Sequence, residues 1–388
     1  MKVQNMTISE LAGYSFNCEC GRTHTVEVEK VIVSDNAINE TIEFLKSKTT
    51  KKIMIICDEN TYKIAGKVFK KKIENSEIYI IKEKNKLHIA PNEKFVGEVL
   101  IKTPKDIGYF LAVGSGVIND ITRQISYKMG KEYVVFATAP SMDGYASATS
   151  SLIVNNIKES IQGQTPKGIF ADINILKNAP FKMITAGFGD VIGKYNAIRE
   201  WQFGRDYKNE HYCETIVDIV YNAVKKCEQN AVKLKIRDKD AISNVMEALT
   251  LAGMTMGMYQ NTRPASGAEH HIVHYWDVDC IKRGVEHPLH GNSVGVGTVI
   301  ICKLFDLLKD QLPVKVMSLD GDKIEKTLKE AGCKTSPIEL KISRRLLKES
   351  IIKGHTMSTK YTVLTYLAQE KPKLLEKIAE KICNIYYK

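Results

Sequence analysis

The first half of the chain switches repeatedly between unbroken apolar runs and stretches whose apolar residues fall three or four apart. KKIMIICDEN (51–60) reads as a buried strand, YKIAGKVFKKKIEN as a helix, SEIYIIKE as a second strand and APNEKFVGEVLIKT as a helix opened by proline. IGYFLAVGSG, INDITRQISYKM and EYVVFATAP continue as strand, helix and strand, and KGIFADINILK (167–177) adds one more strand, expected at a sheet edge. Strands that alternate with helices pair through βαβ crossovers into a mostly parallel sheet. Ahead of them, FNCECGRTHTVEVEKVIV predicts a hairpin leading into the sheet.

After Lys177 the texture changes. NAPFKMITAGFGDVIGKYNAIREWQFG and the rest of the chain run at helical period with few β-branched runs. The expectation is an α/β domain over residues 1–180 followed by an all-α domain over 181–388. A length of 388 residues suits two cores better than one.

Composition narrows the partners. The 56 Lys and Arg outnumber the 45 Asp and Glu, a formal +11, which points to nucleic acid, an anionic membrane surface or phosphorylated small molecules. Much of the lysine lies in amphipathic stretches such as KVFKKKIENSE, where a solvated helix face accounts for it. No basic run alternates with aromatics as a base-stacking platform would, so no nucleic-acid partner is expected. The N-terminus lacks the apolar core of a secretory signal. ALTLAGMTMGMY, the longest nearly apolar run, falls short of the ~20 residues of a membrane span. Nine scattered cysteines fit reduced thiols in a cytoplasm better than a disulfide framework.

Two groups of residues suggest chemistry. In YFLAVGSGVINDITRQI, Gly114 and Gly116 stand where a strand turns into a helix, a place where backbone can approach a pyrophosphate and a helix N-terminus favours its charge. Asn119 occupies the third glycine position of the usual fingerprint, so a plain tight turn explains the glycines equally well. Asp58 ends the first strand, where it could accept hydrogen bonds from a ribose or simply cap a helix. Farther on, SGAEHHIVHYWD (266–277) gathers three of the nine histidines. His270 and His274 share a helix face, and His271 points roughly 100° away. His290 in HPLHGNSVGVGT and Asp190 in AGFGDVIGKY complete a possible open metal site. Any one of these histidines alone would read as an ordinary hydrogen-bonded or solvated residue.

Taken together and in order, AVGSGVIND, ATAPSMDGYASATS, AGFGDVIGKY, NTRPASGAEHHIVHYWD and PLHGNSVGVGT resemble the iron-type alcohol dehydrogenase and dehydroquinate synthase superfamily. Within it they look like sn-glycerol-1-phosphate dehydrogenases of the bacterial AraM-type branch. The resemblance implies a dehydroquinate synthase-like fold, in which a dinucleotide-binding α/β domain with a mostly parallel sheet precedes an all-α metal-binding domain. It implies Asp190, His270 and His290 as ligands of one divalent metal (nickel or zinc, with iron a further candidate), His274 as a supporting or substrate-facing group, and no ligand role for His271. It also implies Gly114, Ser115, Gly116 and Asp120 at the pyrophosphate, Asp58 at the adenosine ribose, Thr138 and Ser141 at the nicotinamide, and Asp143 at the substrate hydroxyls. Arg263 is a candidate for the substrate phosphate because a guanidinium offers a bidentate fork. Lys194, four after Asp190, is another candidate, or else an ion-pair partner of that carboxylate.

The implied reaction is reversible reduction of dihydroxyacetone phosphate to sn-glycerol-1-phosphate by NADH or NADPH, in a homo-oligomer, by default a dimer. A carboxylate at Asp58 would favour NAD over NADP. Three rivals remain open at this point: a polyol dehydrogenase acting on unphosphorylated glycerol, a dehydroquinate synthase-like cyclase, and a non-catalytic nucleotide- or membrane-binding protein. The cyclases carry Glu where this chain has Asp190. Cys18, Cys20 and His24 supply three soft-metal ligands where a closed zinc site wants four, and a hairpin with reduced cysteines accounts for them without metal.

Overall fold

The computed structural model describes residues 2–83, 89–308 and 311–387. The chain forms two compact units. One comprises Met1–Phe16, Thr23–Ile184 and Leu249–Met258, the other Asn17–Arg22, Thr185–Ala248 and Tyr259–Lys388.

The strands run β1 (Ser15–Asn17), β2 (Thr23–Thr25), β3 (Lys30–Ser34), β4 (Lys52–Asp58), β5 (Ser76–Ile81), β6 (Ile107–Gly114), β7 (Glu132–Ala137), β8 (Thr149–Val154), β9 (Ile157–Gln162) and β10 (Gly168–Asp172). Six of them form the sheet of the first unit, in the order β3-β10-β7-β6-β4-β5, and every pairing is parallel. Strands buried on both faces need no polar alternation, which is why IMIIC and YFLAV read as continuous apolar runs. Phe69 and Phe136 meet edge to face in the core on one side, with centroids 4.9 Å apart.

The order of the strands fixes where a ligand would lie. From β4 the chain steps outward to β5, then returns to place β6 on the other side of β4 and continues through β7 to β10. Directions therefore diverge between β4 and β6, the switch point outside which open α/β sheets bind ligands at the carboxyl ends. The residues at those two ends are Asp58 and Gly114.

Two expectations change. KGIFADINILK is not an edge strand: β10 pairs with β3 on one side and β7 on the other, with Ile169 opposite both Val31 and Val135. All five residues of β10 are buried, so its apolar run marked an interior position. The edge belongs to β3, the end of the segment read as a leading hairpin. The antiparallel pair β8–β9 went unanticipated. Its two-residue turn is Asn155-Asn156, with φ of 50° and 61°, the left-handed pair that tight hairpins require and asparagine tolerates.

The second unit is helical. Its core packs Trp276, Ile300, Leu304, Leu347, Leu367 and Ile378, drawn from helices Ala268–Lys282, His290–Leu308, Arg344–Lys353, Val363–Glu370 and Pro372–Tyr386. Among the described residues, His290–Leu308 is the one helix with the length and apolar character of a membrane span, and most of it is buried inside the protein.

Helix His290–Leu308 crosses helix Phe181–Lys208 at backbone contact. A Cβ on Gly291 would stand 1.9 Å from the Ala186 carbonyl oxygen, and one on Gly189 would stand 2.4 Å from the Gly291 oxygen. Neither obstacle is a movable side chain, so glycine is required for this approach. Gly291→Ala is expected to cost about 1–3 kcal/mol through overpacking. Gly257→Ala, at an exposed helical position with open space around it, is expected to gain up to about 1 kcal/mol from helix propensity. Denaturant unfolding of both variants beside the parent checks this, and a Gly291→Ala chain as stable as the parent would refute it.

Candidate metal centre and nucleotide loop

Three helices of the second unit bring together the ligands proposed from sequence. Asp190 lies in Phe181–Lys208, His270 in Ala268–Lys282, and His290 opens His290–Leu308. Each offers a ligand atom, and these atoms lie within 4.8 Å of one another. The His270 and His290 ring centroids are 5.2 Å apart, and His274 sits 6.2 Å and 6.1 Å from them. One helical turn separates His270 from His274, so both face the cluster.

The surrounding hydrogen bonds prepare the donors. Lys194 Nζ donates to Asp190 Oδ1 at 2.6 Å, and both side chains are almost wholly buried. His270 Nδ1 lies 2.7 Å from Glu269 Oε1. Against a carboxylate, Nδ1 carries the proton, so Nε2, 3.9 Å from Asp190 Oδ1, presents its lone pair. Glu269 is itself fixed by the Gly267 N–H at 2.6 Å and by the Asn196 amide. Burial holds the His270 pKa well below the usual histidine value, and the charges of Lys194, His290 and Lys360 push it the same way. A neutral imidazole tied to a carboxylate, a second imidazole and a buried aspartate are the donors a borderline divalent ion takes, and the ion needs them deprotonated. The residues present fit such an ion.

His271 points away from the cluster. It is fully buried, and neither ring nitrogen has a hydrogen-bond partner. Burial and then Lys360 depress its pKa to about 3, against the opposing charge of Glu269, so it packs as a neutral ring.

Arg263 differs from its sequence expectation. Its Nε donates to Glu210 Oε1 at 2.6 Å, its Nη2 pairs with Glu210 Oε2 and donates to the Tyr361 carbonyl at 2.8 Å. The fork that would grip a phosphate is already closed on a carboxylate. Sequence reading missed Lys360, the chain neighbour of Tyr361. Its Nζ donates to Thr262 Oγ1 at 2.8 Å, Ser266 Oγ at 2.6 Å and the Ser266 carbonyl at 3.0 Å. Burial lowers its pKa to about 7, against the pull of Glu269 and with a further push from Arg263 and Lys194. One lysine ahead of the apolar run YTVLTYLA gives little signal in a chain this rich in lysine.

In the first unit, Gly114 ends β6 and Ser115 is the N-cap of helix Gly116–Lys128. Ser115 Oγ and Ser141 Oγ lie 2.5 Å apart, and Tyr145 Oη donates to Ser115 Oγ at 3.1 Å. Thr138 N–H donates to the Gly114 carbonyl at 3.1 Å. The residues assigned to pyrophosphate and nicotinamide therefore form one bonded patch at the ends of β6 and β7. Asp120 is engaged elsewhere. It pairs with the buried Arg123 at 2.5 Å, and burial raises its pKa to about 6 despite that guanidinium. Asp58 Oδ1 accepts from the Asn60 and Thr61 N–H groups, both at 2.8 Å, so the helix cap is realised. Asp143 precedes the short turn Gly144–Ala146.

Comparison with known proteins matches residues 32–180 to the family described as iron-containing alcohol dehydrogenase. A glycerol-1-phosphate dehydrogenase named for NAD(P)+ from Halalkalibacterium halodurans is 30% identical over 93% of this chain and 97% of its own length. One of the same name from Geobacillus thermodenitrificans is 29% identical over 94% of this chain and 98% of its own. In fold, the chain is similar to a probable glycerol dehydrogenase from Sinorhizobium meliloti, with a TM-score of 0.69 at 16% identity over 92% of this chain and 96% of that one. With that identity held over almost its whole length, the chain belongs to the glycerol-1-phosphate dehydrogenase family of the iron-containing alcohol dehydrogenases.

Proposed function

We propose that this protein interconverts dihydroxyacetone phosphate and sn-glycerol-1-phosphate with NADH or NADPH. The observation that carries the reading is the buried Asp190–His270–His290 cluster, in a chain whose full-length relatives are glycerol-1-phosphate dehydrogenases. Asp190, His270 and His290 would hold the ion, nickel or zinc. When bound, such an ion supplies Lewis acidity to a ketone oxygen, and the nicotinamide supplies or accepts the hydride. Lys194 anchors the Asp190 carboxylate through its hydrogen bond to Oδ1, and Glu269 keeps the His270 proton on Nδ1. His274, half-buried beside the cluster, is the group proposed to hold a proton for the product hydroxyl.

The first unit is proposed to take the nucleotide on Gly114, Ser115 and Gly116, with Asp58 at the ribose, Thr138 and Ser141 at the nicotinamide and Asp143 addressing substrate hydroxyls. Lys360 replaces Arg263 as the cation for the substrate phosphate. Arg263 is then a positioning residue that ties Glu210 to the Tyr361 carbonyl, next to Lys360. The reading carries with it a cytoplasmic setting and a homodimer.

Three outcomes test it. Metal-stripped protein should oxidise NADH with dihydroxyacetone phosphate only after Ni²⁺ or Zn²⁺ is restored, and Asp190→Ala should not recover. Turnover of unphosphorylated dihydroxyacetone at equal efficiency would shift the assignment to a polyol dehydrogenase, and silence with every substrate and metal would sink it. Asp58→Ser keeps a capping oxygen but removes the charge that repels a 2′-phosphate. It should raise the NADPH-to-NADH ratio of kcat/KM roughly tenfold, or about 1.4 kcal/mol; an unchanged ratio would remove Asp58 from the ribose.

The third outcome concerns pH. The folded pKa of Lys360 is pushed down to about 7, against an ordinary lysine value of 10.5, so between those values the unfolded chain binds the extra proton. The contribution of this lysine to stability must therefore rise with pH across that window, by at most about 1.4 kcal/mol per pH unit. Any stability advantage of Lys360→Met over the parent should shrink steadily from pH 7 toward pH 10, as read by denaturant unfolding. A difference that stays flat would place Lys360 in contact with water.

A further inference from the structure

The cysteines of the first hairpin acquire a distant partner. Cys18 and Cys20 lie in the turn between β1 and β2, and Cys213 lies 195 residues beyond Cys18, with the Cys18 and Cys213 sulfurs 3.6 Å apart. The three sulfurs lie within 4.8 Å of one another, all in the second unit. None of the nine cysteines forms a disulfide.

The arrangement is held from several sides. The Cys18 N–H donates to the Arg22 carbonyl at 2.9 Å, and the Gly21 N–H donates to the Cys18 carbonyl at 3.0 Å. Gly21 adopts a φ of 84°, which closes the turn tightly enough to point both thiols to one side. His211 Nε2 lies 3.0 Å from the Cys20 carbonyl, while its Nδ1 lies 3.1 Å from Tyr259 Oη. Cys213 is the residue before helix Glu214–Gln229, whose positive end favours a thiolate. Thr215 Oγ1 stands 3.4 Å from Cys18 Sγ. At Cys18, burial alone would raise the pKa, but hydrogen bonds from the Cys20 backbone and Thr215 outweigh it and lower it. Burial pushes Cys213 the opposite way, well above the usual thiol value. Three thiols brought this close at a partly buried place suit a soft cation that would bind all three as thiolates.

We propose that Cys18, Cys20 and Cys213, all in the second unit, form a three-thiolate site for zinc or a cation of similar softness. Three thiolates supply the soft donors such an ion takes, and the ion would be structural, pinning the turn Asn17–Arg22 to the start of helix Glu214–Gln229. Binding releases the thiol protons to solvent. The site shares no residue with the Asp190–His270–His290 cluster and stands whatever that cluster catalyses.

The test is spectroscopic. Full-length protein produced with cobalt in place of zinc should show intense thiolate-to-cobalt charge-transfer absorption in the near ultraviolet. Asp190→Ala should retain the band, and Cys20→Ser should lose most of it, along with about one bound ion per chain. Should Cys20→Ser fail to fold, titrating the zinc-loaded parent with an organomercurial beside a colorimetric chelator reads the same property, since zinc should appear in step with the modified thiols. A parent without the charge-transfer band, zinc release unconnected to thiol modification, or a Cys18–Cys213 disulfide found by mass spectrometry would each overturn the proposal.

Discussion

The Asp190–His270–His290 cluster depends on two helices being allowed to touch through their backbones. Asp190 directly follows Gly189, and His290 directly precedes Gly291, the residues at which the helices meet. The absence of side chains at the crossing thus places a carboxylate and an imidazole a coordination sphere apart. The third member of the cluster arrives by the same device: a Cβ on Gly297 would stand 2.9 Å from the Glu269 carbonyl oxygen, one residue before His270. Helix His290–Leu308 serves as the common spine of the cluster, which explains its buried, small-residue, nearly span-like character without any membrane.

Placing titratable groups so deeply creates a second constraint, one of charge. Lys194 and Lys360 both disfavour a proton on His270, which suits metal binding, but the same ammonium groups would repel a divalent ion. Asp190 and Glu269 supply the compensating negative charge, and each is held by named donors. Glu200 lies in the field of Glu269, and burial lifts its pKa to about 8, so near neutral pH it is mostly protonated and adds little further charge. The cluster therefore sets Lys194, and Lys360 with its pKa lowered to about 7, against Asp190 and Glu269 around a neutral His270. Removing Lys194 takes away the ammonium paired with the buried Asp190 carboxylate, a cost of several kcal/mol.

What the sequence made legible follows from the range of the interactions involved. The parallel sheet could be read because each strand carries its own apolar run, and the helical half because period survives locally. The candidate cluster could be picked out because its members sit at helix starts and on one helix face. KGIFADINILK was misplaced at an edge because apolarity reports burial of faces and says nothing about which strand lies alongside. The pairing of Arg263 with Glu210 went unseen because the two lie 53 positions apart, and Lys360 was passed over because lysine in sequence carries no mark of burial. Cys213 is the same case at longer range: a Cys-x-Cys turn announces itself, whereas the thiol that meets it does not.

Asp58 shows why competing readings of one residue need not exclude each other. From sequence, a ribose acceptor and a helix cap were alternatives. In the fold, both capping bonds fall on Oδ1, at the carboxyl end of β4, beside the strand that leads to Gly114. Capping fixes the orientation of the carboxylate at the switch point, and Oδ2 is then the oxygen that a ribose hydroxyl would meet. A carboxylate oriented in advance loses less freedom on binding than one on a mobile side chain. The structural duty of Asp58 thus strengthens the case for its use in nucleotide recognition, because the cap performs the ordering that a ligand would otherwise have to impose.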